Sequence, residues 1–318
     1  MMFGSNTLGN GWVVPADDAA ITAAAQLLHA GEIVAIPTET VYGLAADAQN
    51  AEAVAHIYAA KGRPDFNPLI VHVRDRKAAE KLGLFNATAQ ALAEAFWPGP
   101  LTLVLPLKQG APVARAVTAG LPTIAIRCPN HPVMQALLLK SDLSLAAPSA
   151  NRSGAISPTR ADHVLKGLGG AVPMILDGGP CSAGLESTIV AVRDDGWQIL
   201  RPGPVTSKEI EQTLGYPPFA LPTASIEAPG QMASHYAPSK PVRLNVTVSE
   251  KGEYLIGFGA IAGDDNLSAT GDLAQAAAHL FEALHNADAS LARAIAVAPI
   301  PHEGIGIAIN DRLSRAAA

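Results

Sequence analysis

The side chains best suited to chemistry stand within residues 33–73, where an apolar run leads into the hydroxyl-rich segment 37–44. A short helical segment follows, and it ends in a basic turn at residues 61–64 before a second apolar run. Hydroxyls, amides and cations at the ends of strands are the groups with which open α/β sheets bind anionic ligands. The stretch therefore predicts a nucleotide-handling pocket.

Two threonines of the hydroxyl-rich segment, Thr38 and Thr40, can either face a ligand or close a turn on their own backbone. Pro37 ends the preceding run because proline lacks a backbone donor, and Gly43 permits a close approach of the chain. We therefore expect the segment to present hydroxyls, and the turn is the alternative for a threonine taken alone.

The basic turn contains Lys61 and Arg63, at the end of a helical segment that Asn50 is placed to cap. Both cations suit a polyphosphate, but a cation in the last turn of a helix also interacts with the helix dipole. That alternative stays open for Lys61, whereas Arg63 is favoured as a ligand contact. Asn67 and His72 stand at the start and the end of the next apolar run, and a single histidine is more often structural.

Another apolar run, residues 123–127, ends in a guanidinium. Side-chain direction repeats every two residues along a strand, so Thr123 and Arg127 share one face. Arg127 can bind a carboxylate through two parallel hydrogen bonds, and the alternative is a surface salt bridge.

A third polar segment, residues 146–154, leads to Ser157, which we predict to cap a helix over 158–168. The free N–H groups at the start of a helix can receive phosphate, and capping without a ligand is the alternative. Ser187 and Arg201 add a hydroxyl and a guanidinium at the ends of two more apolar runs, and each is a weak signal by itself.

The elements that must position these groups follow from the pattern of apolar residues. Apolar segments rich in Val, Ile and Leu alternate with Ala-rich segments of helical period, which is typical of an α/β fold. We predict strands at residues 33–36, 69–73, 101–106, 123–127, 143–147, 174–176, 187–192 and 198–201. We predict helices at residues 17–29, 51–60, 87–96, 131–139, 158–168 and 207–214.

The character of the chain changes at residues 216–241, which are rich in Pro, Ser and Ala and show no period. Such a segment predicts an ordered connector or a lid between two domains. Strand-like segments at 242–248, 254–260 and 294–300, and helix-like segments at 272–286 and from 307 onward, predict a small second α/β domain.

Composition narrows the class of protein. The 318 residues are 49% hydrophobic and carry a formal net charge of -6, so general binding to nucleic acid is disfavoured. Two cysteines, Cys128 and Cys181, are too few for a disulfide framework or a cysteine-based zinc site, and they fit a reducing compartment. The sequence shows neither a signal peptide nor a membrane span, and we predict a cytoplasmic protein without a membrane partner.

Several motifs together resemble one family. PTETVYGL, KGRPDFNPL, PGPLTLVL, TIAIR, APSANRSG, ESTIV and LRPG occur in this order and are similar to the motifs of the YrdC/Sua5 family of threonylcarbamoyl-AMP synthases. The likeness covers about residues 13–215, and the segments PGQM, HYAP and GIGIAINDRLSRA resemble the longer, two-domain Sua5 type. Ala233 stands where some linkers of this type carry a basic residue, so the number of linker contacts to ATP stays open.

The resemblance implies a YrdC-like catalytic domain with a twisted open sheet at residues 1–215, a linker or lid at 216–241, and a Rossmann-like Sua5 C-terminal domain at 242–318. It implies condensation of L-threonine, bicarbonate and ATP into L-threonylcarbamoyl-AMP and pyrophosphate, the donor for the t6A modification of tRNA. Mg²⁺ is expected to arrive with ATP, because no carboxylate cage is legible. A transient contact with the t6A transferase machinery is implied, without stable binding of nucleic acid.

Site residues carry over by position. The resemblance implies a threonine pocket made of Thr40, His72, Arg127, Ala147 and Ser187. It implies ATP contacts from Lys61, Arg63, Asn67, Thr123, Ser149, Asn151, Ser157, Arg201 and Tyr236, of which Lys61 and Arg63 are also the expected catalytic cations. Tyr236 is expected to close over the site from the linker.

Three alternatives remain to be weighed. An RNA-binding module without turnover would use the same cations, but only 5% of the residues are aromatic, which disfavours platforms for base stacking. A carbamoyltransferase of the hydrogenase-maturation kind shares the domain but needs cysteine zinc motifs. A phosphosugar lyase would need clustered acidic metal ligands, which the sequence does not show.

Overall fold

The computed structural model describes residues 12–219, 227–230 and 235–318. Gln231 and Met232 of the PGQM segment and the departure at Ala233 lie outside the described residues. Two sheets organise the described chain, one of ten strands and one of four. None of the described helices is long and apolar enough to span a membrane.

The strands of the larger sheet are short and mostly buried. They are β1 (Trp12–Pro15), β2 (Val34–Ile36), β3 (Gly43–Asp47), β4 (Ile70–His72), β5 (Leu101–Pro106), β6 (Thr123–Arg127), β7 (Leu145–Ala146), β8 (Met174–Asp177), β9 (Thr188–Arg193) and β10 (Gly196–Arg201). Their order across the sheet is β1-β8-β2-β3-β7-β4-β6-β5-β9-β10, with parallel and antiparallel neighbours mixed.

Helices cover this sheet and connect its strands. They are α1 (Asp18–His29), α2 (Ala51–Lys61), α3 (Arg76–Ala79), α4 (Ala87–Phe96), α5 (Pro132–Ser141), α6 (Ala161–Leu168) and α7 (Ser207–Leu214). One apolar cluster includes Leu44, Val71 and Leu103, and a second, built on α1, α5 and β2, includes Leu28 and Leu137. The sheet is therefore buried on both sides, as its near-continuous apolar strands require.

The smaller sheet contains β11 (Val242–Arg243), β12 (Glu253–Gly257), β13 (Asp265–Asn266) and β14 (Ala294–Val297), all parallel, in the order β11-β14-β12-β13. Helices α8 (Leu273–Ala289) and α9 (Gly306–Ala316) pack with it. Parallel strands joined by helices give the Rossmann-like arrangement that the sequence predicts, so the fold class is confirmed.

The two sheets share a continuous apolar cluster. Val41, Ile156 and Leu185 from the larger unit, and Tyr236 from the connecting segment, lie in the same cluster as Phe281 of α8. Burial of this apolar surface holds the smaller unit against the loops of the larger sheet. The contact surface therefore lies beside the motifs that the sequence singles out.

One local prediction is wrong. Ser157 does not cap a helix, because α6 begins at Ala161 with Arg160 in the capping position and without a side-chain cap. The Ser157 hydroxyl instead donates to the carboxylate of Glu186 at 2.5 Å. The local pattern predicts a bond between this hydroxyl and the backbone of a helix. The bond is made instead to a side chain 29 residues away in the sequence.

Candidate active site

A concave pocket opens at the ends of neighbouring strands of the larger sheet. Its lining consists of Thr38, Thr40, Val41, Gly43, Arg63, Ile70, His72, Arg127, Ala147, Pro148, Ser149, Glu186, Ser187, Arg201, Pro229, Gly230, His235 and Tyr236.

Strand register explains why residues so distant in sequence meet there. His72 at the end of β4 is paired with Arg127 at the end of β6, and Arg127 is paired with Thr102 near the start of β5. The parallel pair β5 and β9 then places Thr188 beside Leu101. Because the sheet contains parallel and antiparallel neighbours, the first residues of some strands and the last residues of others bring polar groups to the same end of the sheet.

Backbone hydrogen bonds connect the hydroxyl-rich segment, residues 37–44, to the segment that contains APSANRSG and Pro158. The N–H of Tyr42 donates to the carbonyl of Pro158, the N–H of Leu44 to Pro148, and the N–H of Ala150 to the carbonyl of Tyr42. These bonds fix the hydroxyl-rich segment against the APSANRSG segment. The pocket floor is thus preorganised by main-chain contacts before any ligand is present.

The two threonines of the hydroxyl-rich segment have different roles. Thr38 closes a turn, because its hydroxyl donates to the carbonyl of Val41 and accepts from the N–H groups of Thr40 and Val41. The hydroxyl of Thr40 faces inward and accepts from Nη1 of Arg127 at 2.8 Å. The turn alternative therefore holds for Thr38, and both threonines line the pocket.

Arg127 is a buried guanidinium held from three sides. Its Nε donates to the carbonyl of Gly99 at 3.2 Å, and its Nη2 lies 2.7 Å from Oε1 of Glu39. Burial pushes the pKa of Glu39 up, but the charge of Arg127 and the N–H of Asn130 outweigh burial and leave that pKa below its ordinary value. Neither a surface salt bridge nor a free cation describes Arg127, because its partner is buried.

His72 contributes a neutral imidazole to the same wall. Burial lowers the pKa of His72 to about 3, and the nearby charge of Arg127 acts in the same direction. The side chain therefore offers hydrogen bonds to a ligand without adding charge at neutral pH.

Arg201 is held by carbonyl and hydroxyl oxygens. Its Nε and Nη2 donate to the carbonyl of Ser187 at 3.1 and 3.0 Å, and Nη2 also reaches Oγ of Ser187 at 3.2 Å. The hydroxyls of Ser187 and Thr102 are hydrogen-bonded to each other at 2.7 Å. Burial lowers the pKa of Arg201, but an arginine stays protonated in proteins.

Lys61 is the last residue of α2 and Arg63 follows the helix, with Gly62 between them in a left-handed conformation with φ of 60°. Arg63 lines the pocket while its Nη2 donates to the carbonyl of Pro68 at 2.8 Å and its Nε to the carbonyl of Asn67 at 3.2 Å. Burial lowers the pKa of Arg63 to about 10, so it remains a cation at neutral pH.

Lys61 turns away from the pocket lining and binds the backbone. Its Nζ donates to the carbonyls of Ser149 and Asn151, both at 2.5 Å. Burial holds the pKa of Lys61 well below its ordinary value, and the charge of Arg63 adds to this effect. In this arrangement the lysine ties α2 to the APSANRSG loop, so it positions Ser149 rather than facing the cavity.

The connecting segment forms one wall. Pro229, Gly230, His235 and Tyr236 line the pocket, and Nη1 of Arg201 reaches the carbonyl of Pro229 at 3.4 Å. Burial lowers the pKa of His235 to about 3 and raises that of Tyr236. The part of the linker that the structure describes is therefore packed over the site.

The structure brings most of the predicted site residues to one cavity. Those that line it are Thr40, Arg63, His72, Arg127, Ala147, Ser149, Ser187, Arg201 and Tyr236. Those outside the lining are Lys61, Asn67, Thr123, Asn151 and Ser157. Thr123 begins the strand that Arg127 ends, so about 13 Å separates them along β6, and the side chain of Asn151 donates within its own loop to Ala155.

Several lining residues are absent from the predicted site, among them Glu186, Gly230 and His235. Glu186 and His235 are each next to a residue that was included, Ser187 and Tyr236, so adjacency is a sequence signal for these two. Gly230 has no included neighbour in the sequence. The partner of Glu186 is more than 120 residues away, at Arg312, and no local pattern shows that contact.

The residues present do not form a protein site for Mg²⁺. Within residues 12–219, 227–230 and 235–318, no three His, Cys, Asp or Glu side chains group together to hold a metal ion. The two carboxylates beside the pocket, Glu39 and Glu186, are already engaged by Arg127 and Arg312.

The chain is similar to known proteins over nearly all of its length. The family model described as "Telomere recombination", of the Sua5, YciO and YrdC proteins, matches residues 26–203, and the model for the C-terminal domain of threonylcarbamoyl-AMP synthase matches residues 205–318. Threonylcarbamoyl-AMP synthase of Bacillus subtilis is 42% identical over 95% of this chain and 94% of its own length. The protein of that name from Pyrococcus abyssi is 37% identical over 93% of each chain.

A solved structure is similar throughout the chain. The crystal structure of Pyrococcus abyssi Sua5 complexed with L-threonine is 35% identical, superposes with a TM-score of 0.88 and covers 96% of both chains. The likeness therefore extends over both sheets of the described chain. The chain belongs to the two-domain Sua5 family of threonylcarbamoyl-AMP synthases.

Proposed function

We propose that the pocket joins L-threonine, bicarbonate and ATP to form L-threonylcarbamoyl-AMP and pyrophosphate. The observation that carries the proposal is the convergence of two buried guanidiniums, the half-buried guanidinium of Arg63, several hydroxyls and two neutral imidazoles on one cavity, with the described part of the linker packed over it. These groups suit a carboxylate, a carbamate and a triphosphate, which are all anionic oxygen ligands. The likeness to a Sua5 protein complexed with L-threonine supports the amino acid.

The reaction explains why a covered pocket is needed. The amine of threonine and bicarbonate form a carbamate and release water, and the carbamate then decomposes unless it reacts. A carbamate oxygen attacks the α-phosphorus of ATP, a P–O bond forms, and the bond to pyrophosphate breaks. Holding the reactants in line can supply an effective molarity on the order of 10⁵ M, and excluding water protects the adduct.

The cations have a distinct task in that scheme. Charge develops on the α-phosphate oxygens and on the departing pyrophosphate, and preorganised donors stabilise it. Arg63 and Arg201 are each held by backbone carbonyls, so each keeps a full positive charge for such a ligand. We propose that these two guanidiniums face the nucleotide, and that Mg²⁺ comes bound to ATP.

The wider setting is also a proposal. The catalytic, linker and C-terminal parts are assigned to residues 1–215, 216–241 and 242–318, and the product is assigned to the t6A modification of tRNA through transient contact with the transferase. Two buried free thiols, Cys128 and Cys181, support a reducing, cytoplasmic setting.

Release of pyrophosphate tests the function. The purified protein should release pyrophosphate from ATP only when L-threonine and bicarbonate are both present, and mass spectrometry should detect the threonylcarbamoyl adenylate. Arg63→Ala should abolish release, whereas Arg76→Ala, which removes an exposed arginine paired with Glu80, should not. Binding of RNA without any turnover by the wild type would instead favour the RNA-binding alternative.

A further inference from the structure

A charged side chain of the C-terminal unit reaches the surroundings of the pocket. Arg312, on α9, is fully buried, and its Nε donates to Oε2 of Glu186 at 2.8 Å. Its Nη1 donates to Oδ2 of Asp311 at 2.7 Å. A guanidinium from the smaller unit therefore reaches a carboxylate that lines the pocket of the larger one.

Glu186 is held on both of its oxygens. Oε1 accepts from the hydroxyl of Ser157, and Oε2 accepts from Arg312. Burial alone would raise the pKa of this carboxyl, but the charges of Arg312 and Arg201 and the Ser157 bond leave the pKa below its ordinary value. Glu186 is therefore a full negative charge at the wall of a pocket proposed to bind anions.

Arg201 donates to the carbonyl of Ser187, the residue that follows Glu186, and both Arg201 and Glu186 line the pocket. The charge of Arg201 also lowers the pKa of Glu186. If Arg312 were absent, Arg201 would remain as a cation beside Glu186. A carboxylate paired with Arg201 would compete with a phosphate for that guanidinium and would repel it.

We propose that Arg312 is a positioning residue for the reaction: it neutralises Glu186 and fixes it against Ser157, so that Arg201 stays available to the anionic substrate. The inference rests on the proposed function and extends it, because it gives the C-terminal unit a part in setting the charge of the pocket. A second contact of Arg312, whose guanidinium carbon lies 5.2 Å from the centre of the Tyr236 ring, provides the rival explanation.

A double-mutant comparison separates the two explanations. If Arg312 acts through Glu186, it should matter only while the carboxylate is present. Arg312→Met should raise the KM for ATP by roughly tenfold or more with a smaller change in kcat, and adding Glu186→Gln should remove most of that loss. Glu186→Gln leaves Arg312 its bond to Asp311, so it does not strand a buried cation.

The matched control is Arg243→Met, which removes another arginine of the C-terminal unit that is paired with carboxylates, Glu253 and Glu250, far from Glu186 in that unit's own sheet. The KM for ATP should change by less than about twofold in this control. The critical comparison is between Glu186→Gln and the double variant, because neither contains an unpaired carboxylate at the pocket.

Each result of these KM measurements either supports or overturns the proposal. A KM for ATP within about threefold between Glu186→Gln and the double variant supports the proposal. A tenfold or greater rise in the double variant, or failure of the double variant alone to fold, overturns the proposal and assigns Arg312 to Tyr236 or to packing. An unchanged KM in Arg312→Met also overturns it. Absence of pyrophosphate release by the wild type would instead refute the proposed function.

Discussion

Replacing Gly230 by alanine tests whether the linker must pack over the pocket for nucleotide to be retained. Gly230 has φ of +84°, a conformation that residues with a Cβ atom adopt only with strain. A Cβ atom there would stand 2.8 Å from the hydroxyl of Tyr236 and 2.9 Å from Cδ of Arg201, closer than ordinary van der Waals contacts. The substitution therefore acts on the covered arrangement of the site.

The size of the expected loss of activity follows first from backbone strain at residue 230. A left-handed conformation costs a residue with a side chain about 1–2 kcal/mol, and opening the linker would relieve that strain. With tenfold per 1.4 kcal/mol, the ratio of covered to open linker falls roughly 5- to 30-fold. The contacts with Tyr236 and Arg201 add to this cost, so kcat/KM for ATP should fall, and by about that factor once the open form predominates.

Gly215 supplies the matched control. It has φ of +79°, almost the same conformation, but a Cβ atom added there would meet nothing within 4 Å. Gly215→Ala should lower the free energy of unfolding by about 1–2 kcal/mol and leave kcat/KM for ATP unchanged.

The assay is the initial rate of threonine- and bicarbonate-dependent pyrophosphate release as a function of ATP concentration. Unfolding in urea measures the stability of both variants in parallel. Equal kcat/KM in Gly230→Ala and the wild type would refute the reasoning, because the covered arrangement would then be irrelevant to nucleotide binding. Equal losses of kcat/KM in both variants would show that backbone strain, and not the linker, is responsible.

Three further outcomes are expected. Arg127→Lys keeps the charge but loses the planar donor set, so the KM for L-threonine should rise roughly tenfold while the KM for ATP changes little; titration of each substrate checks this. Ser187→Ala removes the hydroxyl that Arg201 and Thr102 share, and kcat/KM should fall about 2- to 12-fold, since one such bond contributes about 0.5–1.5 kcal/mol. His72 and His235, with pKa values of about 3, stay neutral in the fold while the unfolded chain takes up protons below about pH 6.5. The contribution of these histidines to the free energy of unfolding should therefore be complete above that pH and fall below it by up to about 1.4 kcal/mol per pH unit for each histidine. Urea unfolding at pH 7.5 and 5.5, roughly one unit to either side, measures this. Equal free energies of unfolding at the two pH values would contradict it.

Most of the fold was predictable because its elements obey local rules. The helix at Ala87–Phe96 and the strands at Leu101–Pro106 and Thr123–Arg127 have the predicted bounds, since each has a clear period and a clear end. Two strands of the larger sheet were missed. Gly43–Asp47 contains glycine and alanine, which are poor strand formers, and it is a strand only because neighbours pair with it on both sides.

The site was predictable in its parts but not in its partnerships. Residue type and position at strand ends identify Arg127, Arg201 and Thr40 as groups for an anion. The sequence does not show that Arg127 is paired with Glu39, or that the hydroxyl of Ser157 belongs to Glu186. Those pairings depend on how distant segments pack, and packing decides which polar group is left for a ligand.

The pairings give the pocket two regions that differ in net charge. Arg127 is neutralised by Glu39, whereas Arg63 and Arg201 are held by carbonyl oxygens, which orient a guanidinium without cancelling its charge. An amino acid, which carries both signs of charge, suits the neutralised region. A triphosphate, with several negative charges, needs the region where the cations are uncompensated.

This division depends on both domains, because Glu186, which lines the pocket together with Arg201, is neutralised by Arg312 from α9. A truncated chain that ends before α9 would retain all three guanidiniums of the pocket and would leave Glu186 unpaired among them. Its affinity for ATP should therefore fall even where the larger sheet remains folded, and Glu186→Gln in that truncated chain should restore part of it. Titration of ATP into the two truncated forms, with far-UV circular dichroism to confirm folding, measures this. Equal affinities in the two forms would show that Glu186 has no electrical effect on the nucleotide.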